Sequence, residues 1–204
     1  MLDAARAGDQ NALGTLVERH RPRLERMVGL RLDRRLQSRV DPADVVQETY
    51  LAVRSKFGQH FGNSNLPFFL WLRLELNQKL TDVHRFHLAT QMRDAGQEVS
   101  LHRGPTPQVT SVSLAERLLG KLTTASHAAI RVELTLRVQE ALNGMDPLDR
   151  EVLVLRHFEE LSNSETARVL DIKPSAAVNR YVRALKRLKD VFEGMPGGVE
   201  GVWG

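Results

Sequence analysis

The sequence predicts an all-α protein, and three observations predict it. Nearly every periodic stretch repeats its apolar residues at helical spacing, with no strand-like alternation. Two Asp-Pro pairs, Asp41-Pro42 and Asp146-Pro147, stand at the head of such stretches, where aspartate caps a helix and proline fits its first turn. Ser162 is followed three positions later by Glu165, the spacing of a capping box.

Taken in order, a first helix is expected over 12–36, with Leu13, Leu16, Val17, Leu24, Met27, Val28 and Leu32 in its apolar stripe and Pro22 kinking or dividing it. A second opens at Asp41. Asp44 favours its dipole, and Val46, Tyr50, Val53 and Phe57 share one stripe. Gly58 and the run over 62–65 read as an exposed loop. A third helix follows over 67–87, with Phe69, Leu72, Leu76, Leu80 and Val83 inward and Arg73, Asn77, Lys79, Thr81 and Arg85 opposite. Residues 100–113, with Gly104, Pro105 and Pro107, lack periodicity and read as a linker that extends, with a short helix, to about residue 126. Helical spacing returns over 130–142 and again from Asp146, with Leu148, Val152 and Leu155 inward. Five glycines within 193–204 predict a mobile tail, in which Trp203 has no assigned role. The expected division is therefore a domain over 1–95, a linker over 96–126, a second domain over 127–192 and a tail over 193–204.

Composition narrows the function classes. With 42% apolar and 26% charged residues in 204, the chain is globular rather than disordered. It has no cysteine, which excludes a disulfide framework and thiolate zinc sites. The densest apolar run, Phe68-Phe69-Leu70-Trp71-Leu72, is far shorter than the roughly 20 residues of a membrane span. Asp3 and Asp9 near the start do not suit a signal peptide, so a cytoplasmic protein without membrane insertion is expected.

The formal charge is only +4, but residues 161–190 alone carry seven cations and three anions, also +4. Within that piece the capping box starts a short helix to Leu170. Asp171-Ile172-Lys173 supplies a tight turn, and Pro174 starts a second helix. This is the helix-turn-helix plan. On the second helix, Ala177, Tyr181, Leu185, Leu188 and Phe192 form an inward stripe, while Ser175, Ala176, Asn179, Arg180, Arg183 and Arg187 lie away from it. Cations supply phosphate affinity, and Asn and Arg near a helix start reach base edges in the major groove. The bare motif fits a stand-alone transcriptional regulator equally well.

Catalysis is not expected. Asp44 and Glu48 stand one turn apart, as do His84 and His87, yet there is no phosphate loop, no nucleophile motif and no third metal ligand at a suitable spacing. No cofactor is implied.

The run Asp44-Val45-Val46-Gln47-Glu48-Thr49-Tyr50 after Asp41-Pro42-Ala43, together with the Trp71-Leu72-Arg73 helix, resembles domain two of the extracytoplasmic-function (ECF) branch of the sigma-70 family. Asp146-Pro147-Leu148-Asp149-Arg150-Glu151-Val152-Leu153 through Leu188 resembles the family's domain four. The resemblance covers about residues 5–93 and 130–192, in the family's order. It implies an alternative sigma factor that binds bacterial core RNA polymerase, carries it to particular promoters and helps melt them. Asp44, Val45, Gln47, Glu48 and Tyr50 would bind the polymerase clamp. Asn63, Ser64, Asn65, Trp71, Arg73, Asn77, Lys79 and Arg85 would engage the minus-ten element of promoter DNA. Lys173, Ser175, Asn179, Arg180, Arg183, Lys186 and Arg187 would read the minus-35 element. The turn carries Asp171 where the family usually has glycine, and Lys173-Pro174 is atypical at a recognition-helix start. Family members are often held inactive by an anti-sigma factor, a partner the resemblance admits without identifying.

Overall fold

Side-chain capping fixes where several of the helices begin, and every regular element described is helical. The computed structural model describes residues 1–62, 65–95, 107–119 and 128–193. Asn63, Ser64, the stretches over 96–106 and 120–127, and the tail over 194–204 with Trp203 lie outside the described residues. The chain divides into two compact units, Met1–Gln108 and Val109–Gly204.

The first unit begins with a short helix α1, Leu2–Arg6, which the sequence pattern does not announce. Asp9 then caps α2, Gln10–Arg31, its carboxylate accepting from the Asn11 and Ala12 amides at 2.9 and 3.0 Å. Pro22 neither ends nor divides this helix. A mid-helix proline costs about 3 kcal/mol, and here the buried stripe on both sides of it, from Leu13 to Val28, offsets that cost. Asp41 caps α3, Pro42–Arg54, with Pro42 in its first turn, as the Asp-Pro pair predicts.

The loop expected around residue 58 is instead partly a helix, α4, Phe57–Gly62. It forms because Phe57 and Phe61 are buried, their rings stacked at 5.1 Å and both against Trp71, at 5.5 and 5.3 Å. Helix α5, Phe68–Ala95, runs through the unit with Phe69, Leu72, Leu76 and Leu80 buried, as expected, and Val83 only half-buried. Arg31 is also buried and donates to the Pro107 carbonyl at 3.0 Å, which ties the last described residues of this unit to α2.

In the second unit α6, Ser111–Leu119, lies inside the stretch expected to be a linker. Leu114, Ala115 and Leu119 are fully buried, and α6 packs on α7, Ala128–Asn143. Asp146 caps α8, Pro147–Leu153, accepting from the Leu148 amide at 2.8 Å. The helix widens into a π-helical turn over Val154–Phe158, and Glu160, at φ 53°, turns the chain toward α9, Asn163–Leu170. Helix α10, Pro174–Glu193, completes the unit against α7, α8 and α9.

Two histidines of the first unit are held neutral. Burial, foremost, pushes His84 below its ordinary value; the Asp33 carboxylate acts the other way. Its Nε2 accepts the Asp33 backbone N–H at 3.2 Å, which only an unprotonated nitrogen can do. Burial beside Phe68 and Phe69 lowers His20 likewise, with Arg23 and Arg19 adding to the effect. As pH falls through the ordinary histidine value of about 6.5, the unfolded chain takes up protons that the folded chain excludes, so stability falls. Melting curves from about pH 7.5 down to about pH 5.5 should show a declining melting temperature, with a shallower decline in His84→Asn.

Candidate nucleic-acid interface

The capping box that opens α9 is complete. Ser162 Oγ accepts from the Glu165 amide at 3.2 Å, and Glu165 Oε2 accepts from the Ser162 amide at 2.7 Å. The helix ends on Asp171 in the left-handed region, φ 51° and ψ 48°. That conformation favours glycine, and aspartate is among the few other residues that adopt it readily. Pro174 begins α10 three residues later, so the predicted helix-turn-helix is present with its atypical turn.

On α10 the buried residues are Ala177, Ala184, Leu188 and Phe192; Tyr181 and Leu185 are half-buried. Lys173, Ser175, Asn179, Lys186 and Arg187 are exposed, as the reading of a DNA-facing surface requires. Arg183 is exposed as well and Arg180 half-buried, but both guanidiniums are paired within the unit. Asp149 on α8 is buried, and Arg183 grips it with two bonds, Nε–Oδ2 at 2.5 Å and Nη2–Oδ1 at 2.8 Å. Arg180 Nη1 donates to the same carboxylate at 2.5 Å and reaches the capping Asp146 at 3.3 Å. The Arg183 guanidinium holds the Asp149 carboxyl below its ordinary range; burial acts the other way, and the Arg180 bond adds to the lowering. The two arginines therefore fix the rotation of α10 about its axis. Arg187 lies so closely on Gly144 that a side chain there would displace its guanidinium.

In the first unit the outward strip of α3 carries Asp44, Gln47 and Glu48, all exposed. Gln47 Oε1 accepts from Arg21 at 3.2 Å, and Glu48 pairs with Lys79 of α5 at 2.6 Å. The structure thus joins one residue of the expected polymerase set to one of the expected minus-ten set, across a groove of about 460 Å³ between α3 and α5. Val45 is buried, and Tyr50 is half-buried with its hydroxyl over Gly14 of α2. Neither belongs to the outward strip. Leu51, 55% exposed, does belong to it and was missed, although it stands three, four and seven positions from Glu48, Gln47 and Asp44.

The expected minus-ten set needs a larger correction. Trp71 is 3% exposed inside the aromatic cluster, and Arg73 and Asn77 are 4% and 6% exposed. They stand one position, about 100° of helix rotation, from Leu72 and Leu76, and α5 is buried over a broad enough arc to include them. They offer no surface to a base. Asn65 and Arg85 are exposed and Lys79 is half-buried, while Asn63 and Ser64 lie outside the described residues. Among the described residues no group of three His, Asp or Glu side chains is placed to hold a metal ion, and no helix is long and apolar enough to cross a membrane.

Known proteins resemble the chain along most of its length. The family profile described as Sigma-70, region 4 matches residues 135–188, which contain the helix-turn-helix. The RNA polymerase sigma factor NccH of Alcaligenes xylosoxydans xylosoxydans is 30% identical over 93% of this chain and 91% of its own length. The ECF RNA polymerase sigma factor SigD of Mycobacterium tuberculosis is 28% identical over 90% of this chain and 78% of its own. This chain belongs to the ECF branch of the sigma-70 family. The RNA polymerase sigma factor CnrH of Cupriavidus metallidurans is 29% identical over 93% of this chain and 91% of its own. Its solved structure, in complex with the cytosolic domain of CnrY, matches with a TM-score of 0.53 at 25% identity, over 95% of this chain and 96% of that one. As a sigma factor the protein directs RNA polymerase to specific promoters. The stand-alone regulator is not favoured, because these relatives align along both units rather than over the helix-turn-helix alone.

Asp149→Asn in this sigma factor should lower the melting temperature by several degrees, because two guanidiniums lose their charged acceptor. Lys186→Ala, at an exposed position, should leave it unchanged. Acid should weaken the Asp149 contribution too: it is present above the ordinary carboxylate range and is lost as pH falls through the lowered value.

Proposed function

We propose that each unit of this sigma factor does a separate binding job. In the second unit α10 enters the major groove of the minus-35 duplex. The observation that carries this is the outward strip of α10, from Ser175 to Lys186, presented beyond a completed helix-turn-helix whose rotation Asp149 fixes. Lys173, Lys186 and Arg187 contact phosphates, and Ser175 and Asn179 face base edges. Arg180 and Arg183 act as positioning residues.

In the first unit Asp44, Gln47, Glu48 and Leu51 form the surface that docks on core polymerase, an acidic strip with one apolar contact. Asn65, Lys79 and Arg85 face the minus-ten DNA. The work throughout is differential binding, so we assign the protein no covalent chemistry. Its place is the cytoplasm, with the polymerase. CnrH is solved with the cytosolic domain of CnrY, and we extend to this chain a protein partner of that kind, an anti-sigma factor.

Reconstituted transcription with bacterial core enzyme tests the whole reading. Lys186→Ala should weaken initiation evenly across cognate promoters and reduce the salt dependence of DNA binding by about one phosphate contact. Asn179→Ala should instead relax selectivity at a single base of the minus-35 element. Glu48→Arg should weaken co-elution with core roughly tenfold, about 1.4 kcal/mol. Lys79→Ala separates the two roles of Glu48: if the pair with Lys79 were what mattered, this variant would lose core binding to the same degree, and it should not.

A further inference from the structure

Helix α10 sorts its solvent-side residues into two arcs. Arg180, Arg183 and Arg187 lie on the flank toward Asp149 of α8 and Gly144 at the end of α7. The arc opposite the buried Ala177, Ala184 and Leu188 carries Ser175, Val178, Asn179, Val182 and Lys186, at the i, i+3, i+4, i+7 and i+11 spacing of one face. At the middle of this otherwise polar strip Val182 is 58% exposed, and Val178 beside it 37%.

Neither the helix nor the core calls for those valines. β-Branched residues are weaker helix formers than lysine, glutamate or glutamine, and solvent-facing methyl groups gain nothing from folding. Their neighbours are suited to duplex DNA: a serine, an asparagine and a lysine on the same face, with Lys173 at the helix start and Lys189 one turn beyond Lys186. The major groove of DNA presents one apolar group, the C5-methyl of thymine. The guanidiniums that most often read guanine there are, for Arg180 and Arg183, turned to Asp149 instead.

We propose that Val178 and Val182 are specificity-determining residues that contact thymine methyl groups in the minus-35 element. The inference rests on the minus-35 reading of α10 and deepens it. Four residues of helix separate the two side chains by about 6 Å, so the thymines they meet fall within about two base-pair steps of each other, at about 3.4 Å per step.

The test uses holoenzyme made from the full chain and core polymerase, on a promoter whose minus-35 element the holoenzyme has selected from a randomised pool. Each thymine of that element, on either strand, is replaced by deoxyuridine, which removes only the methyl group. The expected result is one or two thymines at which the replacement weakens open-complex formation about fourfold, the value of one buried methyl. That loss should disappear in Val178→Ala or Val182→Ala, each at a solvent-facing position whose truncation leaves the fold intact. Dependence on the minus-35 sequence with no response to deoxyuridine overturns the valine assignment and leaves the minus-35 reading standing. A response that persists unchanged in both variants overturns it as well. Initiation indifferent to the minus-35 sequence removes both readings together.

Discussion

Asp149 sits on α8 with its side chain almost wholly removed from water, and the two guanidiniums that satisfy it both come from α10. A carboxylate in that position is costly unless it is paired with good geometry. The pairing leaves α10 little freedom to rotate, because Arg180 and Arg183 must both face α8 while Ala177, Ala184 and Leu188 stay buried. What remains on the far side is the strip from Ser175 to Lys186. Which residues of α10 face solvent is thus decided by an ion cluster centred on the buried Asp149 carboxylate.

The first unit depends on apolar contact instead. Phe57, Phe61, Phe68 and Trp71 bring α4 and α5 together, and Arg6 of α1 lies over the Phe61 ring at 5.2 Å. Helix α3 is set against α2 by Val45, Val46, Thr49 and Val53, with Tyr50 seated over Gly14. This packing turns Asp44, Gln47, Glu48 and Leu51 outward together. In both units a helix is rolled by its buried contacts until one largely polar strip faces solvent. That arrangement suits a protein whose work is selective binding.

Several features of the fold were legible because they are local. The caps at Asp41, Asp146 and Ser162 involve residues within three positions, and the amides they satisfy belong to the same turn. The helical period located α3, α5, α7 and α10, and the turn at Asp171 was readable from the break between two such periods. The missed elements were those whose reason lies elsewhere in the chain. Helix α4 exists because Phe57 and Phe61 meet Trp71; the short helix expected in the linker stretch is present as α6, but that its leucines are covered within the second unit was not legible.

The candidate sites divide along the same line. By itself the sequence determined the helix type, the helix starts, the helix-turn-helix and the family, since each is carried by spacing along a few residues or by motifs in a fixed order. Only the tertiary structure decided which polar side chains are free to bind. Arg183 and its partner Asp149 are 34 positions apart. Trp71, Arg73 and Asn77 have the chemistry of DNA contacts but lie within the first unit's interior. A residue's type states what it can bind; whether the fold already occupies it is set by long-range packing, which local spacing does not encode.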